Sequence, residues 1–315
     1  MKTALIALDW GTTSFRAYRF GQSGEIMETK ADQAGILQVP RKEFEGVFIR
    51  LVQPWLEDNP RIPLIASGMI TSKQGWVETG YISCPAGLAQ LAEGLVTHCT
   101  ISGHTIHFVP GVTFTAPNGV PDVIRGEETQ VFGATDHGGS HRLFVLPGTH
   151  SKWLLTRGER IDWFATFMTG EIFSVLKDHT ILGELSVKGS VDKQAFLRGV
   201  DYALDLSPEQ GGLLHKVFSA RSLVLLGNLS NQCVESYLSG LLIGIEIVEG
   251  YAYINKKGLF KEATLVGSSH LSDLYTQGLV RAGFKIKTAD EHSAAKGLFR
   301  VAAEAKLFTN HSKDA

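Results

Sequence analysis

Two short loops in the sequence have the composition of phosphate-binding turns. The first reads Gly11-Thr12-Thr13-Ser14 and comes just after Asp9, and the second reads Gly148-Thr149-His150-Ser151. Each loop lies between two strand-like runs, so its backbone N–H groups and hydroxyls can share one concave turn that suits phosphate oxygens. A single run of this kind is usually only a hairpin turn. The pair, with a carboxylate ahead of the first loop, favours a site that holds a polyphosphate from both sides.

The strands predicted around the two loops follow the same order. They cover residues 4–8, 15–20 and 25–29 around the first loop, and residues 143–146, 152–155 and 161–164 around the second. The loops match at three of four positions, 137 residues apart. An internal duplication explains this match, and it predicts two homologous lobes with one loop each.

Further elements follow from apolar periodicity and from the positions of the prolines. The pattern predicts strands over residues 64–66 and 263–266, and helices over residues 44–56, from residue 127, over 271–282 and over 290–306. Asp290 is the predicted N-cap of the last helix. Gly297 lies inside that helix at a cost of about 1 kcal/mol relative to alanine, so we expect a close contact with another backbone there.

The composition is that of a globular protein, and it excludes several functional classes. A chain of 315 residues suggests about two domains. Its 43% hydrophobic and 20% charged residues exclude a disordered chain. A formal net charge of −2 excludes the basic footprint of a nucleic-acid-binding protein. The 34 glycines exceed the usual share of about 7%, which indicates tight turns or close approaches of the backbone to a ligand.

Signals for export, membrane insertion or covalent crosslinking are not found. Asp9 interrupts the first apolar run, and Glu246 lies in the longest later one, so we predict neither a signal peptide nor a membrane span. Cys84, Cys99 and Cys233 have no zinc, redox or disulfide spacing. These features predict a cytoplasmic protein.

Common catalytic and nucleotide motifs are also missing from the sequence. There is no GxxxxGK[ST] loop, no GxGxxG and no GxSxG. The pairs His104/His107 and His137/His141 have metal-like spacing, but the second pair spans a glycine turn, and we expect no metal there. His150 and Ser151 are adjacent in a strand-flanked loop, where neighbouring side chains point apart, so a nucleophilic pair is not expected.

Six longer segments follow one another along the chain in an order that is typical of one protein family. They are ALDWGTTSFRAYRF at 7–20, ASGMITSKQGWVETGYISCPAG at 66–87, PDVIRGEETQVFG at 121–133, LPGTHSKW at 146–153, FMTGEIFSVL at 167–176 and LVGSSHLSDLY at 265–275. In this order they resemble the 2-dehydro-3-deoxygalactonokinase (2-keto-3-deoxygalactonate kinase) family of the actin–hexokinase–acetate kinase superfamily. The resemblance covers nearly the whole chain.

The resemblance implies an α/β fold of two ribonuclease-H-like lobes, each with a mixed five-stranded sheet and helices, around an interlobe cleft. Residues 1–120 plus roughly 296–315 would form the N-terminal lobe for substrate and phosphate, and residues 121–295 the C-terminal nucleotide-binding lobe. Gly297 fits a segment where two helices touch at small residues between the lobes. ATP, Mg²⁺ and a sugar acid are the implied small molecules. No nucleic acid or membrane partner is implied. Whether the protein forms a homodimer is left open.

The resemblance also implies roles for single residues. Asp9 would hold the Mg²⁺ shell through water, and Glu127 would act as the base, with Glu128 as the alternative. The glycerol-kinase branch has Asp where this chain has Glu127, and Gly where it has His150 and Ser268. The residues matched to phosphate or nucleotide contacts are Gly11, Thr12, Thr13, Ser14, Arg16, Gly148, Thr149, His150, Ser151, Gly170, Ser174, Gly267, Ser268 and Ser272.

A sugar acid carries a carboxylate, which favours a nearby Lys or Arg. Lys73 and Arg125 are the candidate cations, with Ser72 and Gln74 as polar neighbours. The segment from Ser72 to Trp76 matches the place where glycerol-kinase relatives bind a polyol, and Trp76 could give an apolar wall to a deoxy carbon. A solvated Lys73 and a core-packed Trp76 are the alternatives.

The main hypothesis is an ATP-dependent kinase for 2-dehydro-3-deoxy-D-galactonate, acting at the 6-hydroxyl in D-galactonate catabolism. Phosphoryl transfer needs mainly positioning and charge stabilisation, which the predicted residues could supply. A kinase for another sugar or sugar acid is the second hypothesis. A non-enzymatic sugar or nucleotide sensor is the third. Asp9 and Glu127 count against a sensor, as does the first strand, which begins too early for a preceding helix-turn-helix.

Overall fold

The computed structural model describes residues 3–40, 43–135, 141–187, 189, 191–207, 211–255, 260–267 and 269–308. The chain divides into two compact units. Unit 1 comprises Met1–His141, Leu155–Phe164 and Asp290–Ala315, and unit 2 comprises Arg142–Leu154 and Ala165–Ala289. The lobe boundaries expected near residues 120 and 296 stay a prediction.

The described chain contains groups of consecutive strands separated by helices, and the five helices α4 to α8 follow one another without a strand between them. The strands are β1 (Thr3–Trp10), β2 (Phe15–Gly21), β3 (Ile26–Asp32), β4 (Leu64–Ser67), β5 (Tyr81–Ser83), β6 (Ala86–Gly87), β7 (Val96–Cys99), β8 (Thr105–Phe108), β9 (Gly111–Thr115), β10 (Pro121–Ile124), β11 (His141–Leu146), β12 (Ser151–Arg157), β13 (Arg160–Phe167), β14 (Glu262–Leu265) and β15 (Lys285–Thr288). The helices are α1 (Phe44–Asp58), α2 (Leu88–Glu93), α3 (Glu127–Ala134), α4 (Thr169–His179), α5 (Lys193–Leu204), α6 (Leu213–Lys216), α7 (Ser219–Leu225), α8 (Val234–Asn255), α9 (Ser269–Arg281) and α10 (Ser293–Glu304).

The large sheet of unit 1 has the order β3-β2-β1-β4-β8-β7. β1 pairs antiparallel with β2 and parallel with β4, so its two neighbours cover both edges. β4 pairs parallel with β8, and β7 adds an antiparallel edge. The run of five consecutive buried residues in β1 reflects this central position, because a strand covered on both faces needs no polar alternation.

A second large sheet has the order β15-β14-β11-β12-β13-β6, and a small sheet has the order β10-β9-β5. β14 pairs parallel with both β11 and β15, whereas β6 pairs antiparallel with β13. The α/β class with mixed sheets is confirmed. Each large sheet has six strands where five were expected, and the extra strand is the short antiparallel edge strand β7 or β6.

Each unit has its own apolar core. In unit 1, Trp10, Phe15, Phe44 and Phe48 pack between the sheet and α1. In unit 2 the core gathers around α8, whose apolar residues occur on all sides, as expected of a helix surrounded by protein. Among the described residues, α8 is the one helix long and apolar enough to cross a membrane, and most of it is buried inside its unit.

Most predicted elements are present, and two details of the last helix are informative. α10 begins at Ser293 with His292 as N-cap, so the predicted start at Asp290 is three residues too early. Asp290 instead stabilises the preceding turn, where its Oδ1 accepts from the His292 N–H at 2.8 Å. The contact expected at Gly297 is confirmed, because a Cβ there would lie 1.7 Å from the carbonyl oxygen of Thr129 in α3.

Candidate active site

The first glycine loop is a tight turn that closes the β1–β2 hairpin. The Gly11 N–H donates to the Ser14 carbonyl at 2.9 Å, and Thr12, Thr13 and Ser14 are exposed. The loop is held from behind by residue 35, a glycine at which a Cβ would lie 2.3 Å from the Thr13 backbone. The three hydroxyls are therefore presented to solvent on a fixed backbone, where they can bind phosphate oxygens.

Asp9 lies near the end of β1, opposite Arg16 of β2 and beside Ser67 of β4. Burial raises the pKa of Asp9 above its ordinary value of 3.8. The positive Arg16 opposes this rise, and the nearby Glu127 carboxylate adds to it. Asp9 and Glu127 are thus close enough to influence each other's charge, although 118 residues separate them.

The two candidate bases, Glu127 and Glu128, have different surroundings at the start of α3. Glu128 is fully buried, and both of its carboxylate oxygens accept from the Gly126 N–H, at 2.9 and 2.7 Å. Burial, followed by the charge of Glu127, raises the pKa of Glu128 to about 8. Glu127 is partly exposed, and its Oε2 accepts from the Arg125 N–H at 2.8 Å. Glu128 therefore secures the helix start, while Glu127 is the carboxylate that solvent can reach.

Two glycines with positive φ allow α3 to approach the strand ends. Gly68 has φ 93°, and a Cβ there would lie 2.7 Å from the Trp10 carbonyl oxygen. Gly126 has φ 105°, and a Cβ there would lie 3.1 Å from the Gly68 Cα. Ser67 and Thr129 share a buried hydrogen bond of 3.3 Å at the same place. These contacts bring the ends of β1 and β4 against the start of α3, and so bring Asp9 towards Glu127.

Arg125 joins the segment after β4 to the start of α3. Its Nη1 donates at 2.6 Å to the carbonyl oxygen and the hydroxyl of Thr71, and at 2.6 Å to the hydroxyl of Thr79. Its Nη2 donates to the Thr79 carbonyl at 3.2 Å, and its guanidinium lies 4.5 Å from the ring centre of Tyr81. The loop between Thr71 and Thr79, which contains Lys73, is thereby fixed relative to Glu127.

The other predicted substrate residues differ in their surroundings. Lys73 and Gln74 are exposed. The Ser72 hydroxyl is buried, with no hydrogen-bond partner among the described residues. Trp76 packs against the rings of four neighbours, Trp10, Phe48, His98 and Phe108, at centroid distances of 5.6 to 6.3 Å. Its contacts are those of a core side chain.

The second glycine loop lies in unit 2, between β11 and β12. Thr149 and His150 are exposed, and the Glu171 N–H donates to the Thr149 carbonyl at 3.0 Å. A Cβ on Gly170 would lie 2.5 Å from the Gly148 oxygen, so only glycine lets the start of α4 approach this loop. His150 Nε2 and Glu171 Oε2 lie 2.5 Å apart and join the loop to α4 through side chains as well.

Ser151, the last residue of that loop, is fully buried, and its hydroxyl donates to Glu246 Oε1 at 2.6 Å. The loop pattern predicted Ser151 as a phosphate ligand, whereas it contains nothing that points to its partner Glu246. The one available signal was a carboxylate inside an apolar helical run.

A cavity of about 230 Å³ lies in unit 2 beside the second loop. Apolar side chains from α4, α5, α8 and α9 line it, together with polar groups of Gln232, Glu235 and Ser239. Its lining includes Gly148 and Gly170. Such a mixture suits a flat, mostly apolar ligand with a few polar atoms.

The remaining predicted nucleotide residues lie at different depths. The Ser272 hydroxyl is buried, with no partner among the described residues, and Gly267 lies close to it. Ser174 is on the exposed side of α4. Ser268 lies outside the described residues.

The described residues contain no group of three or more His, Cys, Asp or Glu side chains that could hold a metal by itself. His104 packs against Phe48, and His107 Nδ1 bonds to Thr97, while His137 lies outside the described residues. Mg²⁺ commonly uses only one or two carboxylates, with water and substrate phosphates completing its shell. The partly exposed Asp9 carboxylate, with the Glu127 carboxylate near it, fits that smaller demand.

Comparison with known proteins gives one consistent family. Residues 9–301 match the 2-keto-3-deoxy-galactonokinase family. The 2-dehydro-3-deoxygalactonokinase of Escherichia coli (strain K12) is 30% identical over 305 residues, covering 97% of this chain and 99% of its own. A Rhizobium meliloti (strain 1021) protein, provisionally given the same name, is 34% identical over 306 residues, covering 95% of this chain and 96% of its own.

Solved structures show the same relation. A crystal structure of a Sinorhizobium meliloti protein, also provisionally named 2-dehydro-3-deoxygalactonokinase, superposes with a TM-score of 0.85 at 32% identity, covering 96% of this chain and 98% of that one. The Clostridium difficile activator of 2-hydroxyisocaproyl-CoA dehydratase, with bound ADPNP, has a TM-score of 0.52 at 12% identity and shares the fold alone. With a family match over nearly its whole length and a full-length relative at 34% identity, this chain belongs to the 2-keto-3-deoxy-galactonokinase family.

Proposed function

We propose that this chain transfers the γ-phosphoryl group of ATP to the 6-hydroxyl of 2-dehydro-3-deoxy-D-galactonate, as a cytoplasmic step of D-galactonate degradation. The observation that carries the proposal is the pair of acidic side chains in unit 1. Asp9 and the partly exposed Glu127 approach each other at the ends of β1 and β4, in a chain whose family is named for this activity.

Glu127 is the base in this proposal. A general base needs an accessible carboxylate within hydrogen-bond reach of the hydroxyl that loses its proton. Glu127 is accessible, and the Arg125 N–H fixes its Oε2 at 2.8 Å. Glu128 is fully buried, and the Gly126 N–H binds both of its oxygens. The structure therefore favours Glu127 over Glu128 for this role.

Lys73 is the cation that we assign to the carboxylate of the sugar acid. It is exposed on the loop that Arg125 holds, and Ser72 and Gln74 flank it. The Arg125 guanidinium donates to protein oxygens of Thr71 and Thr79, so its contribution to substrate binding would be to position this loop. Trp76 would support the same loop from the core.

Nucleotide contacts are assigned within each unit separately. In unit 1, Gly11 to Ser14, with Arg16 close behind, would bind phosphate oxygens through backbone N–H groups and exposed side chains. In unit 2, Gly148 to His150 would bind phosphate oxygens in the same way. The cavity would take the base, with Gly170 and the buried Ser272 hydroxyl nearby. Ser174, Gly267 and Ser268 stay predictions for this side of the site.

Asp9 would hold Mg²⁺ through water. When bound, the ion would neutralise negative charge on the phosphate oxygens. Two side chains have the other roles in this proposal: Lys73 orients the sugar acid, and Glu127 accepts the proton of its 6-hydroxyl.

The test is ADP release measured over a panel of acceptors. The panel contains 2-dehydro-3-deoxygalactonate, its C4 epimer, the parent aldonic acids and neutral sugars. We expect the highest kcat/KM with 2-dehydro-3-deoxygalactonate. Turnover restricted to neutral sugars or aldonic acids would show that the substrate belongs to that class instead. No turnover on any acceptor would reject the kinase assignment.

A further inference from the structure

We propose that Glu246 is a positioning residue that fixes the second glycine loop and the start of α4 in their nucleotide-binding arrangement. It would act through a buried hydrogen-bond network and would touch neither substrate. This inference rests on the kinase function proposed above, and it adds a residue that the phosphate-loop pattern does not contain.

The Glu246 carboxylate is the centre of this network. Glu246 lies in α8 and is only 2% exposed. Its Oε1 accepts from the Ser151 hydroxyl at 2.6 Å and from Trp153 Nε1 at 2.8 Å, and its Oε2 accepts from the Tyr275 hydroxyl at 2.5 Å. The Thr169 side chain is a further donor near this carboxylate and lowers the pKa of Glu246. One buried carboxylate thus receives three hydrogen bonds of 2.5 to 2.8 Å and has a fourth donor beside it.

The four donors come from three separate segments. Ser151 and Trp153 begin β12, directly after the glycine loop, and Thr169 is the first residue of α4, directly before Gly170. Tyr275 lies in α9, which follows Gly267 along the chain. Thr169 and Tyr275 also line the cavity assigned to the base, together with Gly148 and Gly170. A single side chain therefore connects every predicted nucleotide-binding segment of unit 2.

The chemistry of Glu246 fits positioning better than packing. Its neighbours along α8 are largely apolar and buried, so a leucine would fill the same space without placing a charge in the interior. Burial raises the pKa of Glu246 above its ordinary value, whereas the hydrogen bonds that it accepts act in the opposite direction and favour the ionised carboxylate. A leucine could not accept hydrogen bonds. The two carboxylate oxygens can accept them from donors that lie on different segments of the chain.

Two matched tyrosine variants separate this role from simple stabilisation. Tyr275→Phe removes one hydroxyl from the network. Tyr237→Phe, in α8, removes a hydroxyl that bonds to Ser219 at 2.7 Å, from a side chain that is as little exposed as Tyr275. We expect both variants to lower Tm. Only Tyr275→Phe should raise KM for ATP and the Kd for ADP, by about 2- to 30-fold, and neither should change KM for the sugar acid.

Glu246→Gln supplies the second test. Glutamine keeps the size but turns one acceptor into a donor that faces the Tyr275 hydroxyl or the Ser151 and Trp153 donors. Glu246 does not line the cavity, so weaker ADP binding by a folded Glu246→Gln variant cannot come from a lost ligand contact. We expect such weakening to exceed that of Tyr275→Phe.

The outcomes for the two proposals differ. Wild-type ADP affinity in Tyr275→Phe, or equal weakening in Tyr275→Phe and Tyr237→Phe, would overturn the positioning role while leaving the kinase function in place. This holds even if Glu246→Gln does not fold. A wild-type chain that neither binds ADP nor turns over would reject the proposed function itself.

Discussion

Exchanging Glu127 for glutamine removes the proposed proton acceptor and keeps the size of the side chain. The Glu127 Oε2 accepts from the Arg125 backbone N–H at 2.8 Å, and glutamine keeps an oxygen that can accept it. The side chain is partly exposed, so the new amide group can reach water and we expect the variant to fold. General-base catalysis is typically worth about 10²- to 10⁴-fold, and we expect kcat to fall by at least about 10²-fold.

The measurement is steady-state kinetics of ADP release with both substrates varied. Because a proton acceptor acts in the transition state, kcat should fall with little change in either KM. Glu128→Gln is the matched control, since it alters the neighbouring carboxylate, which is fully buried at the start of α3. Its kcat should stay within a few-fold of wild type. An inactive Glu128→Gln beside a nearly normal Glu127→Gln would reverse the assignment, and two active variants would place the base elsewhere.

Four further outcomes follow from the same contacts. The pKa of Glu128 is about 8 in the folded chain against 4.5 when unperturbed, so the folded state binds the proton more tightly. The contribution of Glu128 to the free energy of unfolding should then be largest below about pH 4.5 and fall by roughly 5 kcal/mol as pH rises to about 8; urea unfolding of wild type and Glu128→Gln across this range should show it as the difference between the two pH profiles. Asp9→Asn should keep Tm at or above wild type but reduce turnover by orders of magnitude at saturating Mg²⁺, and normal turnover would exclude the metal role. Lys73→Ala should raise KM for the sugar acid about 10- to 150-fold with KM for ATP unchanged, and equal changes in both would exclude a carboxylate contact. Gly297→Ala should lower the free energy of unfolding by at least about 1–3 kcal/mol, whereas Gly46→Ala in α1, where no atom lies within 4 Å of the added Cβ, should raise it by up to about 1 kcal/mol.

The local features of the fold could be predicted from the sequence. The strands around the glycine loops and the helices α1 and α10 follow from apolar patterns and turn residues that act over a few positions. Gly297 was informative for the same reason, since a glycine within a strong helical pattern needs a packing explanation. The helix α8 had no such local signal, because its apolar residues occur on all sides. The helix α5 buries one face and begins at an Asp192 N-cap, so it had a local signal and was nevertheless not predicted.

The parts of the site that depend on distant residues could not be predicted. Arg125 and Trp76 have residue types that suit a substrate contact as well as packing, and only their partners show that they support the loop and the core. The Glu246 network joins residues 95 and 29 positions apart, and no spacing rule connects a helix carboxylate to those hydroxyls. Sequence patterns locate the loops, whereas the contacts that fix them arise from tertiary structure.

The most direct test of the central claim is the identity of the product. Wild-type chain, ATP, Mg²⁺ and 2-dehydro-3-deoxy-D-galactonate are incubated together, and the product is examined by ³¹P–¹H correlation NMR. We expect a phosphate monoester coupled to the protons of carbon 6, formed in equal amount to ADP. Phosphate coupled to another carbon, or ADP released together with inorganic phosphate alone, would contradict it.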